Sequence, residues 1–163
     1  QMASILNVDK IKANGSTNDA VTVDSTGRMF TPARPAFYIR KTGGTTTFGT
    51  GVIQWNDVVF DTASAWDSTN YRYNCPVAGL YWVNISVHNT TNQRTGIWLR
   101  KSGTDYLFGF NSNLTASGGF EGQAVISAIM ECTASDYIDV KGDNAASKGY
   151  FNTNSAMQVM FMG

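Results

Sequence analysis

"Y-N-C-P-V-A-G-L-Y-W-V-N-I-S-V", residues 73–87, decides how the rest of the chain is read. Beyond the turn marked by Pro76 and Gly79 the side chains alternate. Tyr81, Val83, Ile85 and Val87 fall on one face, and Leu80, Trp82, Asn84, Ser86 and His88 on the other. A period of two is that of a strand, with one face toward a core. The solvent face of a one-sided sheet is polar along its length. Here it opens with Leu and Trp, so something has to cover its apolar half.

Outward from this stretch the texture repeats. From Pro35 onward, short runs separated by Gly, Asn, Ser and Thr clusters predict strands near 36–40, 52–55, 57–61, 71–75, 80–88, 95–101, 105–110, 123–132, 136–141 and 156–162. No stretch holds a 3.6-residue apolar period. Many short strands at this spacing predict an all-β domain, a sandwich or jelly roll, over residues 35–163.

Residues 1–34 read differently. "N-V-D-K-I" at 7–11 and "T-V-D-S-T-G-R-M" at 22–29 form a short repeat joined through Asn14-Gly15, which supplies positive φ for a tight turn. Leu6, Val8, Ile11, Val21, Val23 and Met29 are too few for a core, and a two-stranded ribbon of this size is marginal in water. The segment is expected to be an attachment or trimerisation element that packs on something else. "T-P-A-R-P-A-F" at 31–37 makes a stiff junction, because each Pro fixes its own φ and restrains its predecessor.

Twelve basic and twelve acidic residues cancel, and no Lys/Arg run exceeds two, so a phosphate-binding footprint is absent. Nucleic-acid binding and membrane insertion are not expected. Cys75 and Cys132 lie in or beside predicted strands and read as buried thiols, with a bridge left open. Gln1 precedes Met2; taken as the start, Met2 opens a stretch without the apolar run of a secretory signal.

The order of features in 35–163 resembles the globular head of complement C1q, in the tumour necrosis factor-like superfamily. "P-A-F" at 35–37 is similar to the first strand of that family, and "V-V-F-D-T" at 58–62 to its V-x-F-D segment. "Y-N-C-P-V-A-G-L-Y-W-V" at 73–83 is similar to its aromatic, turn and Gly-x-Tyr-x-Phe sequence. "S-D-Y-I-D-V" at 135–140 resembles the Gly-Asp-x-Val-x-Val strand, and "S-A-M-Q-V-M-F-M-G" the closing strand. Val83 stands where the family has Phe, and Ser135 where it has Gly. No collagen repeat precedes the head; residues 4–30 instead resemble short β-rich segments near the heads of bacteriophage fibre proteins. The family resemblance implies a homotrimer, with Leu80, Tyr81, Trp82, Met160 and Met162 as interface residues. A monomer whose loops fold over that face is the alternative.

A single histidine, His88, leaves triad and metallohydrolase chemistry without its bases or ligands, so no enzyme is expected. Asp136, Asp139 and Asp143, or Asp57 and Asp61, could hold calcium, although strand-end aspartates more commonly bond turns; otherwise no cofactor is expected. Trp66, with Asp67 and Asn70, forms a loop that could stack on a sugar or plug the end of the sandwich. Asn92 and Arg94 sit in a second polar loop. The function these features suggest is a non-enzymatic bacteriophage virion protein. It would be a homotrimeric fibre tip that binds host-surface glycan, or a capsid decoration, located on the particle and joined to other virion proteins. The alternative is a secreted recognition or signalling trimer.

Overall fold

The computed structural model describes residues 9–12, 14–15, 17, 19–31, 33–43, 46–47, 49–89, 95–111, 122–143, 149–150 and 155–163. Leu6, Val8, Asn92 and Arg94 lie outside them. The chain divides into two compact units, residues 1–34 and residues 35–163.

The first unit is a three-stranded antiparallel meander of β1 (Lys10–Ile11), β2 (Val21–Val23) and β3 (Met29–Phe30), rather than the expected two-stranded ribbon. The third strand exists because Asp24 shapes the turn before it. Its carboxylate accepts hydrogen bonds from the Thr26 and Arg28 amides, the Thr26 hydroxyl and Arg28 Nε, while Gly27 takes φ +82°. Ile11, Met29 and Phe30 remain exposed, as expected of a sheet too small to cover its own apolar side chains.

The second unit is a sandwich. One sheet runs β12 (Gly122–Cys132), β9 (Gly79–Asn89), β15 (Ala156–Phe161), β4 (Ala36–Arg40), β6 (Asp57–Asp61). Short β5 (Thr46–Thr47) and β14 (Gly149–Tyr150) extend it at the far end of β9. The other runs β11 (Thr104–Asn111), β10 (Thr95–Lys101), β13 (Tyr137–Gly142), β8 (Arg72–Asn74), β7 (Trp66–Asp67). The expected strand at 52–55 is irregular instead. Val52 makes a single bridge to Lys141, and Ile53 and Trp55 both turn into the core.

Alternation builds the core. Tyr81, Val83, Ile85 and Val87 of β9 are fully buried, alongside Ala124, Ile126 and Met130 of β12, Met157 and Val159 of β15, and Phe37 and Ile39 of β4. Tyr73, Ile97, Leu99, Ile138 and Val140 face them from the opposite sheet. Each such side chain contributes roughly 1.5–3 kcal/mol by leaving water. Tyr81 is thus a core residue, and its hydroxyl donates to the Val77 carbonyl at 2.7 Å, tying down the turn before β9. It is not available to a neighbouring protomer, because its side chain points between the sheets.

Gly79 starts β9 at φ +146°, and a Cβ there would come within 2.6 Å of the Gly163 carbonyl oxygen. That closeness lets the C-terminus close against the strand: Leu80 N–H donates to Gly163 O at 2.8 Å, and Met162 N–H to Leu80 O at 2.7 Å.

β12 pairs only with β9 among the described residues, and its open side is covered by side chains from the other sheet. Asn111 Nδ2 donates to the Gln123 carbonyl, the Tyr106 hydroxyl to Ile129 and Lys101 Nζ to Glu131, at 3.1–3.2 Å. Gly109 lets the β11 backbone lie against the Val125 carbonyl.

Candidate interaction surface

The strand register assembles the outer face of the β9 sheet into rows. Ile129, Trp82, Met160 and Ala36 lie side by side across β12, β9, β15 and β4. Leu80 and Met162 extend this row toward the C-terminus, whereas Val125 stands apart on β12, opposite Ser86 and beyond Ser127. Ile129 and Val125 are each 53% exposed, and Leu80, Met160 and Met162 lie between 41% and 44%. The next row is polar and internally bonded. Trp82 Nε1 donates to Ser127 Oγ at 3.1 Å, Asn84 Nδ2 to Gln158 Oε1 at 3.3 Å, and Gln123 Nε2 to Ser86 Oγ. Tyr38 and Phe60 meet edge to face at 6.0 Å on the same sheet. The apolar half of the β9 outer face is therefore one corner of a larger apolar patch.

The outer face of the opposite sheet combines aromatic side chains with ion pairs: the Trp98 and Phe108 ring centres lie 4.7 Å apart, and Phe110, 58% exposed, stacks on Phe108. Arg100 forks onto Asp139, both bonds 2.6 Å, with the carboxylate almost wholly buried. Lys141 pairs with Asp105 at 2.9 Å, Arg72 with Asp67 at 3.1 Å, and the Arg72 guanidinium lies 4.3 Å from the Tyr137 ring centre. Each of these charges has a partner within the chain.

Trp66 stacks on Phe37 at 5.2 Å and packs against the core. Asp67 lies at the turn that follows. It accepts from the Asn70 side chain at 2.7 Å and from the Asn70 and Thr69 amides and Arg72. The Asn70 side chain, then its amide, holds the Asp67 carboxyl below its ordinary range. His88 stands on the outer face of β9, where its amide donates to Ser155 Oγ at 2.9 Å. Of the calcium candidates, Asp139 is taken by Arg100, Asp57 by Arg40, Asp61 by the Ala63 and Trp66 amides, and Asp136 by Ser102 and Thr133. No group of three or more His, Cys, Asp or Glu among the described residues could hold a metal ion. Sequence reasoning passed over Ile129 and Val125, although the alternation of 122–132 places both on the outer face once Ala124, Ile126 and Met130 are assigned to the core.

The model of the family described as the C1q domain matches residues 36–163. The chain belongs to the C1q domain family. Its head is 27% identical over 103 residues to the mouse collagen alpha-1(X) chain, a match that covers 62% of this chain and spans 14% of that one. The fold is similar to the globular domain of zebrafish complement 1qA protein, with TM-score 0.66, 14% identity and coverage of 79% of this chain and 98% of that one. It is similar also to Eiger TNF from S. frugiperda (TM-score 0.68, 11% identity, 80% and 94% covered) and to murine APRIL (TM-score 0.64, 12% identity, 79% and 99% covered).

These relatives overturn the expectation of a bacteriophage virion component. Fibre tip and capsid decoration, other virion proteins as partners and the particle as location all give way to a C1q domain whose fold is similar to complement and tumour necrosis factor-type structures. The β-rich tail misled because its "V-D-S-T-G-R-M" run encodes the Asp24 turn. That is a local geometry any host protein can use.

Proposed function

We propose that this C1q domain is a secreted recognition or signalling head that works as a homotrimer and binds a protein receptor. The apolar row Ile129–Trp82–Met160, with Leu80 and Met162 beside it, carries the reading. Such a contiguous patch on a soluble domain marks an association surface, and closed symmetry covers it in every copy at once. The ion-paired face of the opposite sheet and the loops at the ends of the sandwich then stay outward for a receptor.

Residues 1–34 form a second module in this reading. Ile11, Met29 and Phe30 call for a partner surface that the meander does not supply itself. The test is the solution mass, by light scattering on a sizing column, of the whole chain and of a 35–163 fragment. Both are expected at three times the protomer mass. A monomer at all concentrations would refute the trimer, and a fragment that fails to fold would make the first unit part of the head.

A further inference from the structure

We propose that Cys75 and Cys132 are a cross-linking site, joined as a disulfide when the domain folds in an oxidising compartment. The two thiols belong to opposite sheets and converge on one turn. Cys132 ends β12, opposite Gly79, and the chain then turns through Thr133–Asp136 into β13 of the other sheet. Cys75 follows β8 in that other sheet, and its amide donates to the Asp136 carbonyl at 2.8 Å. Both side chains are buried in the same core cluster, 1% and 2% exposed, as free thiols.

The two thiols also lie near enough to shift one another. The Cys132 contact, then burial, pushes the Cys75 thiol up, while the same contact draws Cys132 down. The exchange can start from either thiol with the same balance, for instance from Cys132.

With oxidised glutathione as oxidant, the Cys132 thiolate attacks one glutathione sulfur and expels a glutathione thiolate. Cys75 then attacks the mixed disulfide at the Cys132 sulfur and expels the second. The glutathione S–S bond breaks and the Cys75–Cys132 bond forms. Two electrons pass to glutathione, and the two protein thiol protons end on the two glutathione thiolates. Burial hinders this exchange in the folded head and slows reduction once the bond exists. The bond therefore forms most readily while the sheets are still docking.

The test is refolding of the full chain from denaturant in a glutathione buffer, oxidised against reduced, with intact mass, alkylation under denaturing conditions and non-reducing peptide mapping. Expected are the loss of two hydrogens per chain, no remaining alkylatable thiol and a single peptide pair joining Cys75 to Cys132. The thermal midpoint should rise on the order of 10 °C over the reduced chain, since the bond closes a long loop. Variants Cys75→Ala and Cys132→Ala should each keep a thiol and show no rise. Two alkylatable thiols after oxidative refolding, glutathione adducts that fail to resolve, bonds between chains, or a lowered midpoint would each overturn the proposal.

Discussion

Replacing Ile129 by alanine probes the apolar face where it is broadest and touches nothing that holds the protomer together. The side chain is 53% exposed, beside Trp82 across the β12–β9 pair. Covering that exposed half by a neighbouring copy yields about half of the ~2–3 kcal/mol of a fully buried isoleucine, or roughly 1 kcal/mol. A trimer loses this at three equivalent sites, roughly 3–4 kcal/mol together, which weakens the monomer–trimer equilibrium on the order of several hundredfold. Sedimentation or light scattering over a wide concentration series reads the shift directly. Circular dichroism should stay that of the parent, because the residue points away from the core. A mass–concentration curve unchanged by the substitution would refute the assignment of this face. So would a variant that loses its fold while the parent remains monomeric.

Gly79→Ala should lower stability by about 2–4 kcal/mol, since the new methyl meets the Gly163 carbonyl and the Phe161 ring at an unfavourable φ; urea denaturation measures it. Asp139→Ala strips the partly buried Arg100 of its carboxylate and should cost roughly 2–4 kcal/mol, while adding Arg100→Met should restore much of that; thermal melts of both variants decide it. In the first unit, the Thr26 hydroxyl, then the Arg28 amide, holds the Asp24 carboxyl down to about 2 from an ordinary 3.8. Its folded value lies below its unfolded one, so its contribution is complete above about pH 4 and fades as pH falls through 2. Amide exchange at Gly27 should accelerate across that window, and Asp24→Asn should remove the dependence.

The sandwich was legible where alternation was long. Strand 36–40 coincides with β4 and 80–88 falls within β9 because a buried face leaves a period-two signature, while 57–61 and 95–101, which coincide with β6 and β10, were marked by their apolar runs between turn residues. Thr46–Thr47, Trp66–Asp67 and Gly149–Tyr150 are too short to carry one, and each is set by the strand it pairs with. Ile53 and Trp55 imitate a strand while acting as plugs from an irregular segment. The patch was legible only in part. Leu80, Trp82, Met160 and Met162 were evident from two strands, but the row through Ile129 needs the β12–β9 register, which depends on contacts far apart in sequence. Tyr81 shows the converse: its parity had already placed it in the core.

The side chains that sit on the open edge of β12 have a consequence for how this protein tolerates crowding. A strand with free carbonyls is a template on which a second chain can lay itself down and recruit a third, so that growth outruns any closed assembly. With Asn111, Tyr106 and Lys101 occupying the Gln123, Ile129 and Glu131 carbonyls, an incoming strand must first displace three existing bonds. Edge-to-edge growth in concentrated solutions is thereby disfavoured, and a Tyr106→Phe, Lys101→Ala pair is where that protection would first give way.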